Sequence, residues 1–162
     1  MPFAQLVLGS PGAGKSTYCN GSTFHLFPHQ QAAHKPPVQQ FMSAIGRKCS
    51  VVNLDPANDH ASYDCAIDVR DFIKLEDIMK EDDLGPNGGV LYALEELENN
   101  IEWLEQGLSG LGEDYVLFDC PGQVELYTHH SSLRNIFFKL QKLGYRVRFY
   151  SAHILGCPAD FI

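Results

Sequence analysis

The stretch Gly9-Ser10-Pro11-Gly12-Ala13-Gly14-Lys15-Ser16-Thr17 matches G-x-x-x-x-G-K-[ST] at every fixed position. Phe3 to Leu8 before it is a short, mostly apolar run, the pattern of a buried parallel strand. A helix can start inside the motif and continue through Tyr18 and Cys19. Gly12 and Gly14 let the backbone curl so that successive N–H groups, through Ala13 and on to Thr17, point inward at phosphate oxygens. The start of the helix adds partial positive charge. In this setting Lys15 reaches the β- and γ-phosphates, and the Ser16 hydroxyl can ligate Mg²⁺. An ordinary strand-to-helix turn is the plainer alternative, and the strand before the motif and the helix after it argue against that.

Two more strand ends carry acids. Cys49 to Leu54 reads as a second buried strand and ends at Asp55-Pro56. An acid at the carboxyl end of a parallel strand faces the ligand crevice of an open α/β sheet, so Asp55 is a site candidate. A turn-forming Asp-Pro explains it equally well. Tyr115 to Phe118 reads as a third strand and runs into Asp119-Cys120-Pro121-Gly122-Gln123. There Asp119 would hold Mg²⁺ or its water, the Gly122 N–H would meet the γ-phosphate, and Gln123 or a neighbouring acid would orient the attacking water.

Between these strands the pattern predicts a helix over 71–82, capped by Asp68 or Asp71, with Phe72, Ile73, Leu75, Ile78 and Met79 on its apolar face. Leu84 to Gly89 predicts a tight exposed turn. Val90, Leu94, Leu97, Ile101, Leu104 and Leu108 form one stripe on a continuous helix, either packed on the sheet or shared with a second subunit. Leu133 to Leu143 is another amphipathic helix closed by Gly144, and Tyr145 to Tyr150 begins a strand. The expected fold is α/β: a P-loop NTPase with a mostly parallel sheet and helices on both faces, in a single domain over 1–162. Residues 22–38 contain three prolines and His25, His29 and His34. They predict an inserted, irregular loop rather than a metal site.

The chain carries 12 basic and 20 acidic residues, a net charge of −8. That balance argues against a general nucleic-acid or anionic-membrane binder. Cys19, Cys49, Cys65, Cys120 and Cys157 form no C-x-x-C pair and read as free cytosolic thiols. No apolar run reaches the roughly 18 residues of a membrane span, and the N-terminus lacks a basic signal-peptide region, so neither is expected.

Taken together, the phosphate loop, VVNLDPAN (51–58), LGPNGG (84–89) and FDCPGQVELYTHH (118–130) resemble the GPN-loop GTPases, named for a Gly-Pro-Asn turn that here is Gly85, Pro86 and Asn87. The sequence DCPGQVELYTHH followed by SSLR most resembles the second eukaryotic paralogue. The resemblance covers residues 1–21 and 39–148. It implies Mg²⁺-dependent binding of GTP and GDP and hydrolysis of GTP by a dimer, in which the GPN turn places Asn87 near the γ-phosphate in the partner's site. Asp55, Asp119, Gln123 and Glu125 then take the metal and water-positioning roles. The resemblance also implies pairing with itself or with paralogues, a role in assembly and nuclear import of RNA polymerase II and III, and residence in the cytoplasm with shuttling to the nucleus. Two features depart from the family pattern. Residues 22–38 interrupt the first helix, and 149–162 diverge before any [NT]-K-x-D guanine-reading motif, so the C-terminal part of the fold is expected to be missing. The alternatives are a small-molecule P-loop kinase, whose lid would need clustered arginines, and a truncated assembly module without catalysis.

Overall fold

Alternation along the strands decides how the sheet faces its two layers. The computed structural model describes residues 2–20, 42, 44–59, 63–123 and 125–151. Within them β1 (Phe3–Leu8), β2 (Cys49–Asn53), β3 (Cys65–Asp68), β4 (Tyr115–Asp119) and β5 (Arg146–Ser151) pair in parallel, in the order β3-β2-β4-β1-β5. Ala4, Leu6 and Leu8 of β1, Val52 of β2, and Val116 and Phe118 of β4 point into one large apolar cluster. Their neighbours Val7, Val51 and Leu117 point the other way, into a smaller cluster. Period-two alternation with apolar residues on both phases is what a sheet covered on both faces requires.

On the smaller cluster lies α1 (Lys15–Asn20), through the buried Cys19. Across the larger one run α2 (Val69–Phe72), α3 (Leu75–Glu81), α4 (Pro86–Asn99), α5 (Ile101–Ser109), α6 (Glu125–Thr128) and α7 (Ser132–Lys142). The parallel sheet with helices on both faces is as the sequence implied. Residues 22–38 and 152–162 lie outside the described residues, while the backbone of 149–151 continues β5 opposite Leu6, Val7 and Leu8. The four described cysteines are free.

Three elements differ from the sequence pattern. The helix expected over 71–82 is two helices. Asp68 caps the first by accepting from Arg70 N at 3.0 Å, and Ile73 is extended (φ −145°, ψ 136°) before α3 begins. Phe72, Ile73 and Leu75 all pack on the large cluster, and the step between the helices lets near-consecutive residues do so. The turn expected over 84–89 is instead the first turn of α4, with Gly85 as N-cap and Pro86 next. Proline suits that position because its missing N–H is not needed there. Gly89 is inside this helix for a packing reason: a Cβ there would lie 2.6 Å from Leu75 Cδ1. The long striped helix breaks at Asn100 (φ −116°, ψ 42°), whose side-chain amide donates to Glu96 O at 2.9 Å in competition with the backbone ladder.

The stripe itself survives the break. Val90, Leu94, Leu97, Ile101, Leu104 and Leu108 are all buried within this chain's own core. The stripe is therefore the sheet-packing face, not a subunit contact. Leu97→Ala is expected to cost about 2–5 kcal/mol of stability. The loss should be the same at low and high protein concentration in urea titrations, where a dimer-borne stripe would give a concentration-dependent midpoint.

Candidate functional site

Because β4 lies between β1 and β2, the chain segments leaving these three strands come together at one edge of the sheet. The loop after β1 curls through Gly12 (φ 76°) and Gly14 (φ 86°), values that L side chains rarely adopt. Ala13 N donates to Ser10 O at 3.1 Å and closes the curl. Lys15 is buried, 8% exposed, and its ammonium reaches back to Ser10 O at 3.4 Å.

Gly122 packs directly on this loop. A Cβ there would lie 2.9 Å from Lys15 Nζ and 2.9 Å from Pro11 N, so only glycine fits without moving backbone. The two phosphate motifs, far apart in sequence, are thus in contact. Leu54 N donates to Asp119 O at 2.8 Å and fixes the third segment beside them.

The carboxylates sit in this junction. Burial pushes Asp119 above the usual carboxylate range, while hydrogen bonds from Tyr63 and Ser16 and the charge of Lys15 pull it back. Burial also raises Asp55, opposed by the Ala57 N–H and Lys15 and reinforced by Asp119. Asp119 Oδ2 accepts from Tyr63 OH at 2.6 Å and from Asn58 Nδ2 at 3.3 Å. Asp119 Oδ1 is buried with no hydrogen-bond partner, and so is Gln123 Oε1. Leaving such an atom unsatisfied costs about 1–3 kcal/mol, a penalty that a ligand would relieve.

These residues fit a magnesium ion. Mg²⁺ takes few protein ligands and keeps water and phosphate oxygens for the rest of its shell. Asp119 with a bare oxygen, Asp55 and the Ser16 hydroxyl supply such a set. Among the described residues no group of three or more His, Cys, Asp or Glu is arranged to hold a metal by itself.

The expected site residues are not all equally placed. Gly12, Ala13, Gly14, Lys15, Ser16, Thr17, Asp55, Asp119, Gly122 and Gln123 lie in or beside the junction. Glu125 stands exposed on the first turn of α6. Gly85, Pro86 and Asn87 are exposed at the start of α4 and take no part in the contacts that join the phosphate loop to Asp119.

Sequence reasoning overlooked a ring of polar side chains around the junction. Asn53, fully buried at the end of β2, donates to Asp68 Oδ1 at 3.1 Å and to Asp55 O at 3.2 Å, and accepts from Asp55 N at 3.1 Å. Arg70 donates from Nε and Nη2 to Asp68 and from Nη1 to Asn58 O. Its guanidinium is therefore engaged one residue away from the site. The polar Asn53 at the end of an apolar strand, within VVNLDPAN, was the available signal; nothing local marks Tyr63.

This chain is similar to GPN-loop GTPase 2 of Saccharomyces cerevisiae, 51% identical over 170 residues that cover 100% of this chain and 44% of that protein. It is also similar to GPN-loop GTPase 2 of Danio rerio, 46% identical over 99% of this chain and 47% of that protein. A family described as "Conserved hypothetical ATP binding protein" matches residues 36–159. The chain belongs to the GPN-loop GTPase family. It spans about half the length of these relatives. Among solved structures it resembles that of a GTPase from Pyrococcus abyssi in its apo form. The TM-score is 0.62 and the identity 24%, over 84% of this chain and 48% of that one, a likeness of fold. Among GPN-loop proteins, then, this chain carries the part with the phosphate loop, and its described residues form a five-stranded parallel sheet.

The ring around the site makes a stability statement. Burial would raise Asp68, but hydrogen bonds from the side chain and backbone of Arg70, and then from Asn53, hold it at about 2. A depressed carboxylate stabilises the fold above its unfolded value near 3.9, and that stabilisation is lost as pH falls through the folded value. Asp68→Asn is expected to lower stability by about 1–2 kcal/mol at neutral pH. The gap to the parent should close between about pH 4 and pH 2 in denaturant titrations.

Proposed function

We propose that this chain is the nucleotide-handling half of a GPN-loop GTPase, which binds GTP and hydrolyses it to GDP with Mg²⁺. The observation that carries this reading is the contact of Gly122 with Lys15 and Pro11 beside an Asp119 that keeps one buried oxygen free. Lys15 and the loop N–H groups hold the triphosphate, Gly122 N–H faces the terminal phosphate, and Gln123 presents a carbonyl oxygen able to orient a water. Magnesium, when bound with the nucleotide, neutralises charge on the phosphates. Ser16, Asp55 and Asp119 would hold it. Guanine is the proposed base because the relatives are named GTPases. The sequence contains no [NT]-K-x-D motif to read it.

A small-molecule kinase is disfavoured by its arginines. Arg47 and Arg146 stack on Phe3 at 4.7 and 5.5 Å, at the opposite end of β1 from the phosphate loop, and Arg70 is engaged with Asp68. The wider role, in assembly and nuclear import of RNA polymerase II and III from the cytoplasm and with a paralogue or a second copy as partner, rests on the family resemblance.

Calorimetric titration with GTP, GDP and ATP tests the reading. The parent should prefer guanine nucleotides, and Lys15→Ala should abolish triphosphate binding while melting like the parent. Equal affinity in the two proteins would remove Lys15 from the site.

Hydrolysis is proposed to need a second subunit. Among the described residues no arginine figures among the charges acting on Asp55 or Asp119, and Asn87 is exposed at the start of a helix about 21 Å long. Mixing an Asn87→Ala chain with a Lys15→Ala chain should restore part of the lost GTP hydrolysis, because each intact part then meets the other across the dimer. Absence of recovery when the mixed dimer is shown to form would exclude action in trans.

A further inference from the structure

We infer that Tyr63 and Asn58 are positioning residues that fix the orientation of Asp119 so that only Oδ1 is presented to the metal-nucleotide complex. The inference rests on the magnesium and nucleotide reading above and deepens it.

The geometry is asymmetric about one carboxylate. Tyr63 OH donates to Asp119 Oδ2 at 2.6 Å, a short charge-assisted bond. Asn58 Nδ2 lies 3.3 Å from the same oxygen, 3.2 Å from Tyr63 OH and 3.4 Å from Ser16 Oγ. With the Asn58 amide donating to its hydroxyl oxygen, Tyr63 turns its single proton toward Asp119. Tyr63 and Asn58 both engage Oδ2, Ser16 also hydrogen-bonds to this carboxylate, and Oδ1 is left without a partner although the residue is only 1% exposed. A carboxylate held in this way cannot rotate to offer both oxygens, and it is a directional, one-oxygen ligand.

Asn58 is itself anchored from outside the site. Its backbone carbonyl accepts from Arg70 Nη1 at 2.8 Å, and its N–H donates to Asp55 O at 3.2 Å. The same amide group touches the hydroxyl of Ser16, so the two proposed metal ligands Ser16 and Asp119 share one organiser. Asn58 therefore bridges Tyr63, Asp119 and Ser16, and Ser16 is itself hydrogen-bonded to Asp119. Partners one step removed from a metal tune affinity through the ligands they orient.

The test is calorimetric titration of the full chain with GDP, with and without Mg²⁺, for the parent, Tyr63→Phe and Asn58→Ala, with melting curves as a check on folding. Both variants should bind GDP like the parent in metal-free buffer and should lose about 10–100-fold of the affinity that Mg²⁺ adds. In an Asp119→Asn background, Tyr63→Phe should add little further loss, since its action passes through that carboxylate. If the parent gains affinity with Mg²⁺ and both variants gain as much, the positioning role is overturned while the nucleotide reading stands. Equal losses with and without Mg²⁺ would mark the pair as merely structural and overturn it too. A parent that binds no GDP would overturn the nucleotide reading, and this inference with it, whereas a parent that binds GDP equally with and without Mg²⁺ would overturn this inference alone. Should Tyr63→Phe fail to fold, Asn58→Ala decides alone, because the carbonyl that Arg70 holds is retained.

Discussion

The insertion of β4 between β1 and β2 is the constraint on which the remaining structure depends. Hydrogen bonding along both of its edges brings the chain leaving β1, the chain leaving β2 and Asp119 to a common edge of the sheet. No local interaction could do this, since the partners are far apart in sequence. The pairing is secured by burial on both faces, with Val116 and Phe118 on one side and Leu117 on the other. The site therefore inherits its geometry from the core. Phe118, one residue before Asp119, is fully buried and meets Phe137 edge to face at 5.4 Å.

Within that frame the energetics divide sharply. The apolar interior falls into two buried clusters, one on each face of the sheet, whereas the edge carrying Lys15, Asp55 and Asp119 concentrates buried charge. Both acids are raised by burial, and one of them keeps an unpartnered oxygen. A fold selected only for stability would place apolar or fully paired groups there. The surrounding ring compensates: Asp68 accepts from both Asn53 and Arg70. The unpartnered Asp119 oxygen lies among the atoms that a ligand would meet.

Much of this was legible in the sequence because its signals are local. The phosphate loop needs its glycines at fixed spacing, and the buried strands are apolar runs ending in an acid. The stripe from Val90 to Leu108 reads correctly through a break that it does not register, because burial follows the apolar face while the backbone follows Asn100. What escaped were relations between distant residues. Tyr63 resembles any half-buried tyrosine until β3 and β4 bring it to Asp119. Gly89 looks like turn punctuation until Leu75 is seen to occupy the space of its missing side chain. Pro86 reads as a turn former, although at the first position of a helix it is equally at home.

The contact at Gly122 joins the phosphate loop to a helix. Pro11 N and the Lys15 ammonium pack against the Gly122 backbone there, leaving no room for a side chain. Tyr127 OH, on α6, hydrogen-bonds to O of the neighbouring Pro121. The phosphate loop, the turn after β4 and α6 thus form one run of direct contacts. At its centre is a residue that holds this place because it lacks a methyl group.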